Sequence, residues 1–146
     1  MPDANRRPNF TGIWKLNSEK STIRGPQPKQ ILMNIEHRDA TLIQQVLLTD
    51  ASGAEQRQIF TCRIGVDTKN SVSGIESRSS AQWNAQELVI ESRMNARGRE
   101  FYFKDHWSLS EDGRTLTMAH RDDDLAGQIS VLEKMPDSDS KKFADF

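Results

Sequence analysis

A single cysteine, Cys62, is all the thiol chemistry that the 146 residues contain. No intrachain disulfide can form, so the fold has to stand on its apolar core, and the redox character of the compartment is left undecided. Excess charge is lacking too: 20 Lys and Arg face 21 Asp and Glu, a formal net charge of -1. Without a net field the chain is not drawn to nucleic acid or an anionic membrane, and neither is expected as a partner. No apolar run is long enough for a membrane span or a signal peptide, and the opening Met1-Pro2-Asp3-Ala4-Asn5-Arg6-Arg7 is polar. A soluble protein is expected, cytoplasmic or exported with a signal outside this chain. There is no Gly-rich phosphate loop, Cys-x-x-Cys pair or nucleophile elbow. His37, His106 and His120 show no zinc spacing, and Asp122-Asp123-Asp124 reads as a solvated turn without the spaced ligands of a calcium loop. Neither metal nor cofactor is expected.

Helical periodicity is missing as well, and period two stands in its place. Alternation of apolar and polar residues recurs over 10–17, 29–37, 40–49, 55–64, 75–84, 87–95, 99–109, 115–122 and 127–135. Mostly hairpin-sized connections join these segments, which predicts an all-β antiparallel meander of about nine strands closed into an up-and-down barrel. A chain of this length suits one domain, burying about 70% of the surface that it exposes when unfolded. Residues 18–28 and 65–74 break the rhythm and read as loops. The tail over 136–146 is polar with two phenylalanines, Phe143 and Phe146, and is either flexible or docked on the barrel.

Turn chemistry predicts registers, because a slip of one residue would send every side chain to the opposite face. Asp112-Gly113 places Leu109 across from Leu116, Trp107 from Met118 and Asp105 from His120. Gly53, in the left-handed position of a three-residue loop, sets Gln44 opposite Phe60 and Leu42 opposite Cys62. The same parity puts Ile129 and Val131 inside, Trp83 and Trp107 in end-of-barrel core, and His37 and His106 at turn and outer positions. Cys62 reads as a small buried hydrophobe.

The first strand carries Phe10, Gly12, Trp14 and Leu16. Its Gly12-Ile13-Trp14 element resembles the Gly-x-Trp signature of the calycin group, the lipocalins and fatty-acid-binding proteins, with a wider spacing most similar to the latter. The chain also resembles small lipocalin-like bacterial proteins of unassigned function. The resemblance implies a barrel around a ligand cavity, with Trp14 turned inward to help close one end. Three departures limit it. Residues 18–28 are too few for a helix-turn-helix lid, Arg121 has the wrong parity to pack over the tryptophan, and a tail stands where an Arg-x-Tyr carboxylate site would be. A fatty acid is therefore not the default ligand.

The inward parity assembles walls from Trp14, Met33, Phe60, Ile90, Phe101, Phe103 and Met118, with Gln44, Ser79, Ser92, Asp105 and His120 as polar members. Such an interior suits a small, mostly apolar or amphipathic molecule with a polar group. The serines read equally as small residues that ease barrel curvature. A carboxylate holding one imidazole nitrogen frees the other for acid–base work, so Asp105 and His120 could instead make an enzyme of isomerase, cyclase or hydrolase type. They could equally serve only to satisfy each other. A third reading follows from Ile13, Leu32, Ile43, Leu47 and Ile59, apolar residues on the outer face of the first four strands. They predict a homodimer or docking surface, unless the tail covers them.

Overall fold

Alternating side chains and well-placed turn residues produce ten antiparallel strands: β1 (Gly12–Leu16), β2 (Gln30–Arg38), β3 (Thr41–Thr49), β4 (Glu55–Arg63), β5 (Thr68–Val72), β6 (Ile75–Asn84), β7 (Glu87–Ala96), β8 (Arg99–Leu109), β9 (Thr115–Asp122) and β10 (Gly127–Met135). The computed structural model describes residues 7–72, 74–122, 127–144 and 146. The polar amino-terminal stretch before Arg7 and the second and third aspartates of Asp122-Asp123-Asp124 lie outside these. The strands pair in the order β4-β3-β2-β1-β10-β9-β8-β7-β6-β5, and the two end strands meet to make a nearly closed calycin-type barrel. Among the described residues, no helix is long and apolar enough to cross a membrane.

Turn chemistry sets the registers as expected. Leu109 faces Leu116, Trp107 faces Met118 and Asp105 faces His120. Gln44 faces Phe60 and Leu42 faces Cys62 across a loop with Gly53 at φ 93°. Three corrections follow. The tenth strand, β5, lies within 65–74, expected to be loop. Its Thr-Lys-Asn-Ser-Val sequence has no apolar alternation, yet it pairs with β6 from Thr68↔Ser79 to Val72↔Ile75. In β10 the parity is reversed. Leu132 pairs with Leu116 and is fully buried, which turns Ile129 and Val131 to the outer face, Ile129 being 45% exposed. Finally, β2 runs on through Arg38, so His37 pairs with Leu42 and faces inward. His106 does face outward, bonded to Glu87 at 2.5 Å.

One barrel end is closed by an aromatic plug. Phe10 and His37 stack at 5.7 Å, Trp83 stacks on both at 6.0 Å, and Trp107 meets Phe10 edge-on at 5.6 Å. Trp14 lies beside them, its Nε1 donating to the Phe10 carbonyl at 3.0 Å. The indole passes so close to Gly12, which has φ 154°, that a Cβ there would stand 3.4 Å from Nε1 and 3.1 Å from Lys134 Cε. The glycine of the Gly-x-Trp element thus serves the tryptophan's approach.

At the seam, side chains do the work of a backbone ladder. The Asn70 amide accepts from the Thr61 N–H and donates to its carbonyl, both at 2.8 Å, and the Arg63 N–H donates to the Thr68 hydroxyl at 3.0 Å. Outside the barrel, a 3-10 helix over Asp137–Phe143 packs Phe143 onto Ile13, Leu32 and Leu47, with Phe146 alongside. Of the two arrangements expected for the outer patch, coverage by the tail is the one present at Leu32 and Leu47. The proposed dimer face is therefore occupied there, while Ile43 stays half-buried and Ile59 is 47% exposed.

Candidate functional site

Above the plug the barrel is hollow. The cavity measures about 430 Å³, within the ordinary range for a site holding one small molecule. Its apolar wall includes Phe60, Ile90, Phe103, Trp107 and Met118, and Trp107 forms its floor against Phe10. Its polar members include Gln44, Ser79, Ser92, Asp105 and His120. Trp14, Met33 and Phe101, expected as walls, do not line it. Trp14 is fully buried in the plug. The Met33 sulfur takes the Gln44 amide at 3.3 Å, and Phe101 lies under the Arg99 guanidinium at 5.0 Å.

Sequence reasoning passed over Leu42, Cys62, Ser77 and Met94, which also line the cavity. By strand alternation Leu42 and Cys62 share the face of Gln44 and Phe60, and Ser77 and Met94 that of Ser79 and Ser92, so their inward parity was legible and only their selection as walls was missed. Thr61 and Asn70 are different, because they reach the cavity from the seam and nothing marked β5 as a strand.

The polar pole is organised by adjacent strands. β8 supplies Asp105 and β9 supplies His120, directly opposite, so that Asp105 Oδ1 and His120 Nδ1 stand 2.6 Å apart. The ring of His120 also stacks on Phe103 at 5.3 Å. The hydrogen bond to Asp105 raises the His120 pKa above its ordinary value, and burial opposes it. The charges of Asp105 and Asp122 add to the rise. With Nδ1 engaged, Nε2 is the nitrogen left to donate or accept a proton. Burial pushes the Cys62 thiol up to about 11, so it stays protonated at neutral pH. Ser79 and Ser92 bond to each other at 2.9 Å. The pair thus has acid–base capacity, while the cavity's cysteine is held as a thiol. Among the described residues, no three His, Cys, Asp or Glu side chains converge as a metal-ligand set.

The strand order, the closed end and the cavity define a calycin-type fold, and solved structures share it. A Schistosoma mansoni fatty acid binding protein, solved in complex with arachidonic acid, aligns over 87% of this chain and 96% of its own with a TM-score of 0.63 at 13% identity. A secretory abundant heat soluble protein from Ramazzottius varieornatus aligns over 91% of this chain and all of its own, TM-score 0.66, at 9% identity. The wild-type fluorescent protein UnaG covers 86% and 97%, TM-score 0.60, at 13% identity. No protein-family model matches the sequence, and no curated protein matches it.

Proposed function

We propose that this protein binds one small, mostly apolar molecule carrying a polar group, held inside the barrel. The observation that carries the reading is the cavity of about 430 Å³, lined by aromatic and aliphatic side chains with the Asp105–His120 pair among them. A solid barrel would need no such space, since protein interiors otherwise close to near-crystalline density. The likeness to a fold solved with arachidonic acid supports the same reading. Apolar burial would supply the affinity, and the polar groups would orient the ligand.

A neutral, environment-sensitive dye should bind one per barrel and quench tryptophan emission through Trp107 on the cavity floor. Phe103→Trp and Met118→Trp each add volume to the wall and should weaken the dye about tenfold or more while the strand signal in circular dichroism persists. Dye binding that both variants leave untouched would place the ligand elsewhere.

A further inference from the structure

We propose that the barrel is also a proton-transfer catalyst, in which His120 Nε2 takes a proton from the carbon beside the carbonyl of an apolar β,γ-unsaturated ketone and returns it at the far end of the double bond. The inference rests on the cavity-binding reading above and adds a reaction to it.

One nitrogen in the cavity is placed to act as a base. β8 and β9 hold Asp105 Oδ1 against the Nδ1 edge of the His120 ring at 2.6 Å, and no other hydrogen bond reaches that ring among the described residues. With the Nδ1 proton given to the carboxylate, the lone pair of the neutral ring stands on Nε2. Phe103 stacks on the ring at 5.3 Å, and both line the cavity with Ile90 and Met118. A substrate would thus meet the base among apolar side chains rather than in open water. On β8 and β9 the other charged residues with this parity are Arg99, exposed with its guanidinium over Phe101, and Asp122, the next residue on His120's face of β9. On the flanking strands, Ile90 of β7 pairs with Asp105 and Gln128 of β10 pairs with His120, and neither carries a charge.

What lines the cavity selects the reaction. Acyl transfer needs an activated nucleophile, yet Cys62 is held as a thiol by burial, and Ser79 and Ser92 are bonded to each other and not to His120. A separate acid and base need two free ionisable groups, and the carboxylate in the lining is already bonded to the imidazole. A single base suffices where one nitrogen both takes and returns the proton. Nε2 takes it from the α-carbon, the C–H electron pair moves into conjugation with the carbonyl to give a dienolate, and the imidazolium delivers the proton to the γ-carbon. The double bond moves into conjugation; nothing is oxidised or reduced, and no group leaves. Ser77, only 5% exposed, lines the same cavity with a hydroxyl that has no hydrogen-bond partner among the described residues, a donor of the kind that a dienolate oxygen requires.

The test gives the full chain allyl phenyl ketone, which should displace a bound neutral dye and be converted to its conjugated isomer, phenyl propenyl ketone, as followed by chromatography. Conversion should exceed that by free imidazole at equal concentration by about 100-fold or more, and His120→Gln should lose about that factor. The wild-type rate should rise with pH as His120 loses its proton and then level off. Asp105→Asn keeps an acceptor for Nδ1 but removes the charge, so the midpoint should move to lower pH while the plateau falls. Should one of these variants fail to fold, the other decides. His106→Gln, which breaks the outer pair with Glu87, should change neither rate nor midpoint. A bound dye that the ketone does not displace, displacement without conversion, or conversion that survives His120→Gln would overturn the inference. So would a midpoint that Asp105→Asn leaves in place, or a loss of rate in His106→Gln. Failure of the dye itself to bind would instead remove the cavity reading.

Discussion

His37 is 7% exposed between Phe10 and Trp83, and its Nδ1 accepts the Phe10 N–H at 3.3 Å. Burial lowers its pKa from the ordinary 6.5, against a raising contribution from the Asp39 backbone. His120, on β9, is shifted the other way by its bond to Asp105. The two therefore couple to stability with opposite sign. For His37 the unfolded chain takes up its proton first, so its contribution is present above 6.5 and is lost as pH falls toward the lowered folded value. For His120 the contribution is present below 6.5 and is lost as pH rises through the raised folded value. His37→Gln, which keeps an acceptor but does not titrate, should flatten the acid side of a plot of Tm against pH from about 5 to 8. His120→Gln should flatten the alkaline side, and parallel curves for wild type and both variants would refute the assignment. The sequence announced only half of this. A turn dipeptide fixed the partner of His120, whereas His37 was hidden because a two-residue loop beginning at Asp39, with φ 51°, carries β2 past it.

Among the elements, those bounded by strong turn residues were legible, and those defined by what they pair with were not. Asp112-Gly113 and Gly53 dictated β8–β9 and β3–β4 register because few backbone conformations suit those residues. β10 was misread in phase because two β-branched residues, Ile129 and Val131, outweighed Leu132 in the pattern, although the partner strand presents Leu116 to Leu132. β5 was invisible for a related reason: its hold on β4 comes from Asn70 and Thr68 side chains rather than from apolar alternation. That hold can be measured. Asn70→Ala removes both partners of the Thr61 peptide group in a half-buried seam, a loss of about 1–3 kcal/mol, or several degrees in Tm for a chain of this size. Amide exchange should quicken first at Thr61. An unchanged melting curve together with unchanged Thr61 protection would mean that water closes the seam as well as Asn70 does.

At the scale of the whole molecule, the barrel has one packed end, one hollow half and one outer face that the chain covers with its own tail. Phe143 is 4% exposed over Ile13, Leu32 and Leu47, and the Arg57 guanidinium lies 5.6 Å above the Phe146 ring. The aromatic pair buries on the outside of the sheet the kind of surface that strands ordinarily bury within. Burial of a large aromatic contributes about 3–5 kcal/mol by the usual large-to-small cost, so Phe143→Ala should lower Tm by well over the effect of Asn70→Ala. Removing 136–146 goes further, because it bares a contiguous apolar strip on β1, β2 and β3 that continues toward the exposed Ile59. A two-fold interface would bring the same strip of both copies together. The truncated chain should associate as its concentration rises in sedimentation equilibrium, and Leu32→Lys in that background should return it to monomer. The intact chain at matched concentration should not associate through this face. A truncated protein that stays monomeric and melts where the full chain does would show that the 3-10 helix merely rests on the barrel without contributing to its core.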